Sequence, residues 1–227
     1  MILIEYNELC PPLMERFIAQ GHLPNFRRFR EQSQVYVTEA AERYPHLDPW
    51  IQWVTVHAGV DFDAHGIEHL NEGHKLKQKY LWDILSDANH PVWVCGSMSV
   101  TYDPSIRGAV LPDPWTTKVA PTPSELAPFF KFVQQNVLEY SNDKIPLSKL
   151  DYAQFVAFMA RHGLSPSTMR AIAEQLVSER LTGLGRWKRA TILDKLQFDV
   201  FKWYWQRERP KFSTFFSNST AHFQHLY

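Results

Sequence analysis

The final stretch of the chain, Lys211-Phe-Ser-Thr-Phe-Phe-Ser-Asn-Ser-Thr-Ala-His-Phe-Gln-His-Leu-Tyr227, constrains the fold more than any other. Its apolar, aromatic first half reads as a buried strand, and the run leads directly to His222 and His225. In an α/β protein, polar groups just past the carboxyl end of a strand are where ligands bind. The chain is therefore expected to be an α/β enzyme carrying part of a site, incomplete in the sense that further site residues should follow this strand.

The rest of the sequence supplies the alternation that such a sheet requires. Ile2-Leu-Ile4 is a short aliphatic run that fits a central strand, ended by the polar Glu5-Tyr-Asn-Glu8. Pro11 and Pro12 suit a first helical turn, Leu13, Met14, Phe17 and Ile18 recur at helical spacing, and Gly21 closes the helix. A second short helix is expected from Leu23 to Phe29, and Gln34-Val-Tyr-Val-Thr38 alternates like a strand. Tyr80 to Ala88 has a helical pattern, Val92-Trp-Val-Cys95 that of a strand, and Ala109-Val-Leu111 that of a shorter one in proline-rich surroundings. Ser124 is placed to cap a helix from Glu125 to Leu138. Helical patterns follow at Leu147 to His162, Pro166 to Leu181 and Arg186 to Gln206, with glycines at the joints. The expected architecture is one α/β domain over 1–227, a mostly parallel sheet sandwiched by helices, with a helical insertion between about residues 124 and 209 packed as a cap.

Composition narrows the function. Lysine plus arginine and aspartate plus glutamate both number 24, so the formal charge is zero and nothing electrostatic favours nucleic acid. Cys10 and Cys95 suggest reduced thiols, and Met-Ile-Leu-Ile is too short for a signal peptide, so a cytoplasmic setting without a membrane is expected. Trp50, Trp53, Trp93, Trp203 and Trp205 read as core rather than as sugar-stacking platforms.

Three sequence elements resemble the alkaline phosphatase superfamily, in its type I phosphodiesterase and nucleotide pyrophosphatase branch. Ile4-Glu-Tyr-Asn7 followed by a helix and Leu23-Pro-Asn25 is similar to the family's first strand, which ends in Asp-Gly ahead of a helix and Leu-Pro-Asn. The run from Pro45 to Gly59 with His65-Gly66-Ile67 resembles the segment that carries a Thr or Ser nucleophile. The strand ahead of His225 resembles the element that ends in Asp-x-x-x-His. The departures lie in the site itself. Asn7 stands at the first metal-binding Asp, the nucleophile position falls on Asp48 or Pro49 depending on the anchor, and Ala221 stands four residues before His225.

The resemblance implies a metal-dependent phosphoric ester hydrolase acting on a small-molecule phosphoester, with a divalent metal, zinc or manganese, as cofactor. On that reading Asp48 is the catalytic carboxylate, able to attack phosphorus. Asn7 and His225 bind metal, and His222 takes the place of the missing Asp. The altered residues keep a second class open: a non-catalytic phosphatase-fold module that binds a phosphorylated or sugar ligand, or a partner protein. Glu5 and Glu8, flanking Asn7, are further candidates for a cation site, and an incomplete sheet edge would favour self-association.

Overall fold

Four short runs form one parallel sheet: β1 Ile2–Tyr6, β2 Val92–Cys95, β3 Gly108–Leu111 and β4 Phe212–Ser217, in the order β1-β4-β2-β3. The computed structural model describes residues 1–138, 146–183 and 185–225, the side chain of Arg186 excepted. Between β1 and β2 lie α1 Pro11–Ala19, α2 Pro24–Glu31, α3 Pro49–Ala58, α4 Phe62–His65 and α5 Leu81–Asp87. Between β3 and β4 lie α6 Ala127–Leu138, α7 Lys149–Arg161, α8 Pro166–Thr182 and α9 Arg189–Glu208, and α10 Ser219–Gln224 follows β4. The protein is thus an α/β fold on an all-parallel sheet, and parallel strands need crossovers of this length to return to the same end.

Alternation along the strands divides the core in two. On one face Val92, Val94, Val110 and Phe212 pack with Val54 of α3 and with Ile67, Tyr80 and Trp82. On the other, Trp93, Cys95, Ala109, Leu111 and Phe215 meet α6 through Phe129 and Val133, α7 through Phe155, Phe158 and Met159, and α9 through Leu196, Val200, Phe201 and Tyr204. The helices expected as an insertion therefore cover one sheet face. Burial of this aromatic-rich layer, at roughly 25 cal/mol per Å² of apolar surface, is the main force holding them there. Cys10 and Cys95 are both free thiols, and burial pushes the Cys95 thiol well above its ordinary range. No described helix is long and apolar enough to cross a membrane.

Three local expectations are corrected. β1 is an edge strand, not a central one, because β4 pairs along only one of its sides, and Ile4 is 53% exposed. The 34–38 segment forms no strand; it is extended and open, and it has no neighbouring strand to pair with among the described residues. Ser124 does not cap α6: residues Ser124–Leu126 form a 3-10 turn, so the chain is already turning where a cap would need to be extended. Ser148 and Ser165 do cap α7 and α8, each accepting from the backbone N–H three residues on.

Trp93 is the keystone of the covered face, with its ring 4.9 Å from that of Tyr204 and its indole N–H donating to the Phe201 carbonyl at 3.1 Å. Trp93→Ala is expected to lower unfolding free energy by about 3–5 kcal/mol in urea titration. A loss below about 1 kcal/mol would contradict the packing of α9 on β2.

Candidate functional site

Parallel pairing of β1 with β4 aligns Tyr6 with Ser217, and the backbone N–H of Asn7 donates to the Ser217 carbonyl at 3.0 Å. The loops beyond the two strands therefore leave side by side. Asn7 is 4% exposed, and its Nδ2 donates to Oδ1 of Asn218 at 2.8 Å. Its own Oδ1 accepts from the indole N–H of Trp53 at 2.9 Å, and its carbonyl accepts from the Thr220 hydroxyl at 2.7 Å. The Asn7 amide is thus held between α3 and the start of α10, with its oxygen engaged by a donor.

The other residues singled out from sequence have separate partners. His225 is bonded through Nε2 to Glu8 Oε2 at 2.6 Å, an exposed pair at the rim. His222 is bonded through Nε2 to the Trp187 carbonyl at 3.1 Å, away from β1. Glu5 turns under α3 and meets His57 Nε2 at 3.1 Å; both side chains are buried, and Glu5 Oε2 and His57 Nδ1 have no other partner. His57 itself lies in an aromatic box of Trp53, Tyr80 and Trp82. Asp48 sits at the N-cap of α3, exposed, with no side-chain cap hydrogen bond. Among the described residues no group of three or more His, Cys, Asp or Glu is placed to hold a metal ion. A divalent cation needs ligand oxygens that are both free and, in sum, negative. Asn7 supplies no charge, its Oδ1 already accepts from Trp53, and His222 and His225 bond to separate groups, so these three side chains as placed do not form the expected metal site.

The loop with His65-Gly66-Ile67 is held by a buried relay. Neutral His65 accepts at Nδ1 from the Ile67 N–H at 3.0 Å, so its Nε2–H points to Thr55 Oγ1 at 3.2 Å. Thr55 in turn donates to Glu42 Oε1 at 3.1 Å, and Glu42 also accepts from Gln52 Nε2 and the Phe62 N–H. Burial works to raise the Glu42 pKa, but the hydrogen bonds from Gln52, Phe62 and Thr55 outweigh it and hold the group below its ordinary value. Burial moves His65 the other way, lowering its pKa and favouring the neutral ring. Thr55 thus gives its proton to a carboxylate and receives one from His65, and the trio ties α3 to the loop that carries His65.

A cleft of about 760 Å³ opens at the carboxyl ends of β2 and β4, between α6, α8 and α9. Trp115, Phe132, Ile172, Leu176 and Phe216 are among its apolar lining, and Asn218, Ser219, Asp194 and His222 line it together with Asn136, Gln175, Arg189 and Gln197. Gly96, at φ +76°, turns the chain off β2, and a Cβ there would meet Gln197 Nε2 at 2.5 Å. Asp194 holds the start of α10 by accepting from the hydroxyls of Ser217 and Ser219 and, at 3.2 Å, from the Ser219 N–H. Sequence reasoning missed Asn218 and Asp194. Asn218 stands four residues before His222, the same spacing as the family's Asp-x-x-x-His, and that signal is present in the sequence. Asp194 gives no such signal, because it lies mid-helix on α9 and reaches the site only through folding.

With this geometry in hand, scanning family models and searching curated proteins and solved structures found no match. The resemblance to the phosphatase superfamily rests on the sequence elements alone.

The loop after β3 contains the most perturbed carboxyl group near the sheet's carboxyl end. Asp113 is fully buried, and burial raises its pKa from 3.8 to about 6 although Thr116, Trp115 and Ser99 all donate to it. Between those two values the folded chain keeps a proton that the unfolded chain has released, so this group's contribution to stability falls as pH rises through the window. Glu42, with its lowered pKa, acts in the opposite sense, its contribution being lost as pH falls. Subtracting the stability of Asp113→Asn from that of the wild type, across a pH series in urea, isolates the first effect. The difference is expected to decline from 3.8 to about 6 and level off above; a flat difference would contradict the buried, protonated carboxyl.

Proposed function

We propose that this protein is a ligand-binding module on a phosphatase-like α/β scaffold, and that it does not carry out metal-dependent phosphoester hydrolysis. The observation that carries this reading is the Asn7–Asn218 amide pair. Where the resemblance calls for carboxylates facing a cation, the neutral Asn7 amide donates to the neutral Asn218 amide at 2.8 Å, and the Asn7 oxygen accepts from Trp53. Two carboxylates at that separation would repel unless a cation lay between them, whereas an amide donor and an amide acceptor satisfy each other directly. The ligand site is the neighbouring cleft, whose mixed apolar and polar lining suits a small phosphorylated or sugar-bearing molecule with an apolar body. Asn218, Ser219 and His222 are the groups that meet its polar head.

One observation favours the hydrolase as a second reading. Asp48 is exposed at the N-terminal end of α3, and its carboxylate is not engaged in capping. On that reading the carboxylate attacks phosphorus to give an acyl phosphate as the P–O bond to the leaving alcohol breaks and that oxygen takes a proton from water; a second water then hydrolyses the acyl phosphate and frees the carboxylate.

Two measurements separate the readings. The wild type is expected to show no turnover of bis-p-nitrophenyl phosphate with zinc or manganese; turnover that disappears in Asp48→Asn would overturn the binding reading. The double substitution Asn7→Asp with Asn218→Asp is expected to lose about 1–3 kcal/mol of stability in EDTA. It should recover that loss when manganese is added, while the wild type is indifferent to the metal in the same thermal scan. A wild type stabilised by manganese would contradict the proposal.

A further inference from the structure

β1 presents an open edge to solvent. Met1 O and Asn7 N bond to β4, so the alternation of a parallel strand turns the backbone N–H and C=O groups of Ile2 and Ile4 to the side away from it. The side chains of Ile2 and Ile4 are 42% and 53% exposed. They lie on the same sheet face as Phe215, with which Ile4 is in register. The apolar stripe continues onto α9, where Phe198 contacts Phe215 edge-on at 5.4 Å and is itself exposed. A parallel sheet normally has both faces and its edges covered, so this is an incomplete surface.

The same chain carries a strand-forming sequence that no sheet takes up among the described residues. The 34–38 segment, Gln-Val-Tyr-Val-Thr, has strand-forming side chains and period-two alternation, yet Val35, Tyr36 and Val37 are 65%, 79% and 93% exposed. Its length equals that of β1. Laid along β1, Val35 and Val37 would extend the Ile2–Ile4 stripe, and Tyr36 would turn to the Leu3 side. Every copy therefore offers both halves of one junction, a bare edge and an unpaired strand of matching length and pattern.

We propose that two copies of this chain associate by strand addition, the 34–38 segment of one pairing with the open β1 edge of the other. The inference is independent of the ligand reading, because none of these residues lines the cleft or joins the amide pair. It is tested by sedimentation of the intact chain over a concentration series. The wild type is expected to rise above monomer mass with concentration, and Val37→Lys and Ile4→Lys each to remain monomeric at every concentration. Mixing the two variants should restore partial association, because each supplies the half that the other has lost. Val37 is so exposed that its substitution leaves the fold intact, which an unchanged thermal transition verifies. A wild type that is monomeric throughout, or an oligomer that survives Val37→Lys, overturns the proposal.

Discussion

The parallel pairing of β1 with β4 is the contact on which the rest of the molecule depends. It joins segments about as far apart in sequence as the chain allows, with the amino terminus of Met1 donating to the Lys211 carbonyl at 2.8 Å across 210 residues. Closing so long a loop has an entropic cost, and the packing of the intervening helices on both faces of the sheet offsets it. Once closed, it fixes a register in which Asn7 and Asn218 leave their strands side by side. Trp53, His57 and Glu5 then follow from the placement of α3 against that tip.

The chemistry of the tip follows from charge. A cation site concentrates carboxylates that repel one another until the ion arrives, and such a site is strained when empty. Here the nearest carboxylates are each directed elsewhere: Glu5 to His57 inside the core, Glu8 to His225 at the rim, and Asp194 to the hydroxyls of Ser217 and Ser219. What remains at the tip is the neutral pair of Asn7 and Asn218. The cleft beside it combines apolar side chains from helices that cross over from β3 with polar ones such as Gln175, Gln197 and Asn218 that could orient a ligand.

Much of this fold was legible in the sequence. β2, β3 and β4 and the helices α7 to α9 coincide with their patterns to within a few residues, because buried strands are short apolar runs and these helices are bracketed by Gly163, Gly183 and Gly185 at their joints. The two errors over strands have one cause. Ile2-Leu-Ile4 resembles a central strand and 34–38 resembles any strand, but whether a run sits centrally, at an edge or outside a sheet depends on neighbours far away in sequence. At the site, Asn7 was singled out by motif position, and the structure places it at the end of β1 beside Asn218. Their partners were not legible: Trp53 and Asp194 reach the tip from helices whose local sequence reports only helix, and the direction of each imidazole is set by tertiary contacts.

The central claim of the proposed reading is that the neutral amides at positions 7 and 218 bond to each other instead of holding a cation. A paramagnetic titration tests it most directly, by following the side-chain NH2 signals of Asn7 and Asn218 in amide-resolved NMR spectra as manganese is added. The account predicts that both pairs of signals persist without selective broadening, with the Asn7 signals shifted as expected for a donor bonded to Asn218. Selective loss of both pairs at low manganese, ahead of exposed asparagines elsewhere, would contradict it.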